Sequence, residues 1–452
     1  MNTIYKFLSY FLIVCMVCFT SCEIEEVFDP NNPSLASVTG DPSKAELQGL
    51  VTGLESRHRA YYGSATQMFG SFGREIWAFF GSDPRFTGDW LGIGLNGETY
   101  PDFFASAGTY TTPYLAVKQA NVLVDAANAS TSLTAAEKAA YSGFAKTVKG
   151  HQLLYPLLQQ FENGIRIDVS DPLNPGPIVT YDEGLAALRA ELDAGFSELS
   201  GVDGDLPFGL SAGYGGFETG NGLASINRAI AARAAIYAGD GAGALTALSS
   251  SFMNLDVTMM GMTQKNLQAG PAHVYGNSPD VSNPLFYPFD RPTSTIIVVH
   301  PALIEDAEAG DTRLSKFAQR VENPAESADV DFTGNYQDGR WASNTASIPY
   351  IRNEELILIY AEANMMTGNM DEAVNAINII RNAHGLNDYS GGNSGDEIID
   401  EILHQRRYSL WAEAGHRWVD LRRTGRLNAD YVDLRDGGSL FTQVARRTSE
   451  LN

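Results

Sequence analysis

Cysteine is nearly missing from this chain. Three occur in 452 residues, and all of them, Cys15, Cys18 and Cys22, fall within the first 22. A disulfide framework or a cysteine-ligated zinc site in the body of the protein is therefore excluded. Positive charge is scarce as well. The sequence holds 31 Lys and Arg against 54 Asp and Glu, a formal charge of −23. This argues against nucleic acid as a partner, because phosphate binding needs clustered cations that release counterions, and it argues in the same way against electrostatic attachment to anionic lipid. The seven histidines, His58, His151, His273, His300, His384, His404 and His416, show no His-Glu-x-x-His or other tight ligand spacing, so metal hydrolysis has no support. Past residue 19 no apolar run approaches the 18 residues that a membrane span requires. What remains, 44% hydrophobic and 19% charged, is globular rather than disordered composition.

The N-terminus speaks about compartment. Lys6 is followed by an apolar stretch, Phe7 to Phe19, broken only by Ser9. It is too short to cross about 30 Å of hydrocarbon but fits the core of a signal peptide. The run ends in Phe19-Thr20-Ser21-Cys22, which resembles a bacterial lipobox, with Cys22 as the lipidated residue. Glu23, Glu25 and Glu26 resemble the surface-export signal of Bacteroidetes lipoproteins. Residues 1–21 thus read as a leader and 22–452 as the mature chain, of charge −24 once Lys6 is lost. Such a protein is anchored to a membrane by acyl chains without spanning it.

The body is patterned for helix. Apolar residues recur at spacings of three and four over Tyr114–Asn128, Ala135–Phe161, Tyr181–Leu199, Ser225–Ala238, Glu354–Met366, Asp371–Ala383 and Glu397–Glu413. Asn369, three before Glu372, predicts a capping box. Ala232, Gly239 and Ala244 have the internal spacing of Ala361, Gly368 and Ala373, the small–turn–small pattern of tetratricopeptide helix pairs. An all-α scaffold is expected over about 40–60, 114–260 and 346–426, within one domain. Long irregular insertions, at 63–112, 201–222 and 261–345, carry many of the 20 Tyr, 22 Phe and five Trp. Loops of this length are usually functional.

Several motifs suggest chemistry and lack its setting. Gly92-x-Gly94-x-x-Gly97 has no strand before it and Pro101 after it, so a loop is expected rather than a dinucleotide site. Gly209-x-Ser211-x-Gly213 follows Pro207 and precedes Tyr214-Gly215-Gly216, which cannot start the helix behind a nucleophile elbow. Asp203-Gly-Asp205 offers oxygen ligands to a structural Ca²⁺, although a solvated turn explains it as well. No other cofactor is suggested, and no pair of carboxylates is marked for glycoside hydrolysis.

Two C-terminal segments are more specific. Ile351-Arg352-Asn353-Glu354-Glu355-Leu356 leads on to Tyr360-Ala361-Glu362-Ala363. Later come Arg406-Arg407 and the run Glu413-Ala414-Gly415-His416-Arg417-Trp418-Val419-Asp420-Leu421-Arg422-Arg423-Thr424-Gly425-Arg426. In order and spacing these resemble the SusD/RagB family of Bacteroidetes outer-membrane lipoproteins. Gln405 and Ser409 stand where that family usually has Glu. The motif's arginines read as a scaffold network, with Arg406, Arg417 and Arg422 expected to meet Glu362, Glu413 or Asp420, and with His416 and Trp418 in the core.

The resemblance implies a non-enzymatic, surface-exposed lipoprotein of the outer membrane. It would bind a nutrient glycan and deliver it to a TonB-dependent, SusC-like transporter. A peptide-binding helical-repeat lipoprotein, or a surface glycosidase with unrecognised carboxylates, would be the alternatives. Sugar rings present a C–H face and hydroxyl edges, so flat aromatics beside directional polar groups suit them. On that pattern Trp77 and Trp90 are candidate stacking platforms, with Arg85 and Asp89 as hydrogen-bonding partners. Tyr287 and Trp341 are candidates from the later loop.

Overall fold

The computed structural model describes residues 40–83, 85–93, 107–171, 174–256, 266–327 and 330–446. The leader, Cys22 and the acidic residues behind it lie outside the described residues, as do Gly94 and Gly97. Helices dominate: α1 (Lys44–His58), α2 (Tyr62–Phe72), α3 (Thr112–Ala129), α4 (Ala135–Gln160), α5 (Tyr181–Leu199), α6 (Gly220–Tyr237), α7 (Gly241–Leu248), α8 (Asn353–Met366), α9 (Met370–Ala383), α10 (Gly395–Ser409) and α11 (His416–Arg423). Ser43/Glu46, Thr134/Glu137, Thr180/Glu183 and Ser394/Glu397 form capping boxes that begin α1, α4, α5 and α10. The box expected at Asn369 does not form. The Asn369 amide turns back to Asn364 and Thr367, and Glu372 accepts from the Tyr360 hydroxyl at 3.0 Å. Among the described residues no helix is long and apolar enough to cross a membrane.

Neighbouring helices pack on one another from α3 to α7, and α7 packs on α8, so the two tetratricopeptide-like pairs, α6–α7 and α8–α9, stack directly. Ala232, Ala244, Ala361 and Ala373 are fully buried where the helices meet. Gly239 and Gly368 turn between the helices of each pair at φ +71° and +85°, a conformation costly for any residue with a Cβ. The repeated triplet therefore marks two equivalent pairs. Between them runs a long insertion whose neck is clasped: the Asn254 N–H donates to Asn353 Oδ1 at 2.8 Å, and Asn353 Nδ2 returns a bond to the Asn254 carbonyl at 2.7 Å.

The segment 63–112, expected as loop, begins instead with α2, where Ala65, Met68, Phe69 and Phe72 bury one helical stripe. It continues into strand β1 (Ile76–Phe79), which pairs antiparallel with β2 (Ile296–Val299) of the insertion. A four-stranded sheet follows in the order β1, β2, β4 (Tyr336–Asp338), β3 (Phe317–Gln319). The aromatic stretches are therefore largely structured, and they join the scaffold through this sheet.

The C-terminal motif is a buried network, as expected, with different partners for two of its arginines. Arg406 meets Asp420 at 2.6 Å, and Arg423 meets Asp420 at 2.8 Å and Glu362 as well. Arg417 and Arg422 reach no carboxylate at ion-pair distance among the described residues. Arg417 donates to the Tyr431 carbonyl. Arg422 donates to the carbonyls of Leu158, in the last turn of α4, and Thr442, and lies 4.1 and 4.3 Å from the ring centres of Phe161 and Trp418. Orphan carbonyls at a helix end and aromatic faces suit a guanidinium without requiring a buried acid. Trp418 is fully buried against Phe69, and His416 Nδ1 lies 3.2 Å from the Tyr237 hydroxyl.

Three of the dispersed histidines converge in the core. His58 Nε2 lies 2.8 Å from His151 Nδ1, and the His273 ring stands edge-on to His58 at 4.9 Å. His151 Nε2 is 3.2 Å from both the Tyr155 hydroxyl and Arg233 Nη1, and Arg233 is bidentate to Glu355 at 2.6 Å. Burial pushes His58 down to about 3 and His151 and His273 well below the usual imidazole range, so all three are neutral packing elements.

Candidate functional site

The six candidate residues separate on burial. Trp77 belongs to β1, whose two faces are both covered. It is 3% exposed, stacks on Phe332 at 4.7 Å and directs its indole N–H toward Asp436 at 3.4 Å. Trp90, 5% exposed, is edge-on to Phe80 and Phe86 at 5.2 and 5.4 Å. Neither ring offers a face to a ligand, which corrects their assignment as platforms. Both sit where apolar area is needed to join the early segment to the sheet. Arg85 is exposed and paired with Asp83 at 2.7 Å, and Asp89 is half-buried on the short helix Arg85–Leu91. Tyr287 is half-buried. Burial pushes its hydroxyl up to about 12, and its carbonyl accepts from Gln337 at 3.0 Å.

Trp341 lines a cavity of about 370 Å³, within the size range of small-ligand sites. Its indole N–H donates to Asp338 Oδ2 at 2.8 Å, which fixes the ring and leaves it half-exposed. The Arg340 guanidinium lies between the rings of Trp341 and Trp411, 4.9 and 5.0 Å from their centres, and is bidentate to Asp338. Tyr62 and Pro349 supply apolar wall, and Gln268, Thr312 and Ser315 supply neutral polar groups. Arg313 is anchored on Asp311 at 2.8 Å, and Arg352 is held by Glu354 and, at 2.9 Å, by Glu413.

Glu413 enters the cavity from a strained turn. Ala412 and Ala414 flank it at φ +53° and +57°, and Gly415 follows at +78°. A left-handed alanine costs roughly 1–2 kcal/mol, so the packing of α10 and α11 imposes this turn and aims the carboxylate. The helical pattern expected over Glu397–Glu413 accordingly stops at Ser409.

An aromatic platform was also missed by sequence reading. Among the described residues the exposed aromatic side chains are Phe289, 60% exposed, and Tyr431, 38% exposed. Phe289 is presented by a braced loop in which the Asp290 carboxylate accepts from the backbone N–H groups of Val321, Glu322 and Asn323 at 2.9–3.2 Å. Its only sequence signal was a place in a long loop. Three further motifs lie wholly or partly among the described residues. Gly92 is in a turn, and Ser211 precedes a 3₁₀ turn, its N–H bonded to Glu55. Asp203 and Asp205 are exposed, and no group of three His, Cys, Asp or Glu among the described residues could hold a metal.

Comparison with known proteins gives these features a context. Residues 327–446 match the model of the SusD family. A stretch of 88 residues, 18% of this chain, is 38% identical to the SusD-like protein P38 of Formosa agariphila, and it spans only 17% of that relative. The fold extends much further than the sequence match. Surface glycan-binding protein A of Bacteroides thetaiotaomicron, solved with laminarihexaose, superposes with TM-score 0.67 over 90% of this chain and 97% of its own, at 15% identity. A SusD-like carbohydrate binding protein from Bacteroides vulgatus gives 0.64 over 84% and 83%, at 17% identity.

Proposed function

We propose that this chain, SusD-like in its C-terminal sequence and in its fold, captures glycan outside the cell and delivers it to a SusC-like, TonB-dependent transporter. The observation that carries the reading is Trp341, a half-exposed, hydrogen-bond-fixed indole at a cavity walled by planar and hydroxyl side chains. One sugar ring would lie its C–H face on the indole, while Gln268, Thr312, Ser315 and Glu413 would exchange hydrogen bonds with its hydroxyls. One carboxylate, Glu413, stands in that wall, whereas glycosidic cleavage uses two, which supports binding rather than cleavage at this cavity. Trp341→Ala should weaken binding of the glycan recovered from a calorimetric panel about tenfold and change melting temperature little. Trp90→Phe, in the core, should do the reverse. If glycan affinity survives Trp341→Ala, the site lies elsewhere, and if no glycan binds but a peptide pool does, the ligand is peptide.

Attachment would be through Cys22. Cys22→Ser should move the protein from the membrane to the soluble fraction, and continued sedimentation with outer membranes would refute the anchor.

A further inference from the structure

The walls of the Trp341 cavity have a charge that the chain as a whole does not. Facing the void are Arg313, Lys316, Arg340 and Arg352 against a single carboxylate, Glu413. Asp311, Asp338 and Glu354, which balance the three arginines, stand behind the wall. Lys316 differs from its neighbours. Its ammonium donates to the carbonyls of Tyr408 and Ser409, in the last turn of α10, at 2.7 and 2.6 Å. No carboxylate pairs with it among the described residues, and one of its three N–H donors has no partner there. In a chain of charge −23, the four cations here are matched by four acids, of which three stand behind the wall, so the groups turned to the void are mostly positive and one of them, Lys316, has no acid of its own.

Resting on the glycan reading above, we propose that the saccharide taken by this cavity carries one anionic substituent, a carboxylate or a sulfate, received by the Lys316 ammonium. The acidic surface repels long polyanions at a distance, so the ligand is a short or sparsely charged acidic oligosaccharide. Burial is the main influence on Lys316 and pushes it down to about 7. Glu354 and Glu413 hold it up, Arg352 and Arg340 push it further down, and His384, bonded to Glu354, also faces the void. An anion seated on the ammonium restores its charged form, so binding draws in a proton.

The test uses the purified mature protein and matched oligosaccharides: uronate-bearing, the same chains methyl-esterified, sulfated, and the same chains desulfated. Calorimetry is run near pH 7.5 in two buffers of different protonation heat. The expected result is binding by a uronate or a sulfated member, about tenfold or more weaker once the charge is removed, with net proton uptake. Which of the two binds identifies the anion. Lys316→Met should abolish the preference and the uptake, and Lys316→Arg should restore the preference. Equal or tighter binding of the neutral members, unaffected by Lys316→Met, overturns the inference and leaves glycan capture standing. No binding by any member, with binding of peptides, overturns both.

Discussion

Asp420→Asn should cost about 3–5 kcal/mol of folding stability, the loss expected when one partner of a buried ion pair is removed. Asp420 is 1% exposed and holds Arg406 and Arg423 together where α10 meets α11. Burial by itself would raise its carboxyl, but the two guanidinium groups outweigh this and bring it to about 2. Neutralising it leaves Arg406 buried without a counter-charge, while Arg423 keeps Glu362. The double variant Arg406→Met/Asp420→Asn should therefore recover much of the loss, because the orphaned charge is gone. Urea unfolding of both variants measures this. A single-variant loss below about 1 kcal/mol would mean that water reaches the pair.

The second expectation concerns acid. His58 is pushed down to about 3 and His300 and His416 to about 4, mainly by burial, and His151 and His273 lie lower than usual for the same reason. In the unfolded chain each imidazole would titrate near 6.5. Below that pH the unfolded state binds protons that the folded state refuses, so stability is complete above about pH 7 and falls as pH drops. Each histidine contributes up to about 1.4 kcal/mol per pH unit. Glu75 opposes this. Burial raises it to about 8, so the folded state holds an extra proton between there and the ordinary carboxylate range, and its contribution grows as pH falls through that window. Burial also lowers His404 and raises Glu55, so six imidazoles against two carboxyls leave a net loss between pH 6 and 4.5. The melting temperature should drop sharply over that interval, and an unchanged value down to pH 5 would contradict neutral burial of the cluster.

The scaffold was legible through one local signal, apolar residues at three- and four-residue spacing, which sets the long helices. Their capping was not: the one box expected, at Asn369, is absent, and the four Ser/Thr-x-x-Glu boxes that do form were not anticipated. α2 was obscured by Gly63, Gly70 and Gly73, whose composition imitates a loop although Ala65, Met68, Phe69 and Phe72 keep the helical stripe. The site was legible only in part. Residue type does not separate an aromatic that fills a core from one that meets a ligand, and tertiary context decided Trp77 and Trp90 against stacking and Trp341 for a cavity edge. Residues 62, 268, 316, 352 and 413 meet around one void without any shared motif. Lys316 had no local signal, since its importance lies in what α10 and Glu413 place around it.

The Asn254–Asn353 clasp insulates the helical scaffold from the loops of the insertion. It closes the neck of the insertion at a fixed span between two helix pairs whose packing does not depend on what the loop tips contain. Doubling the length of a flexible loop costs only about 0.6 kcal/mol in closure entropy. Provided that Ile296–Val299 keeps its pairing with Ile76–Phe79, segments beyond that strand can tolerate changes of length and sequence. Loops there can lengthen or shorten at little cost, while the helices that fold the protein stay as they are.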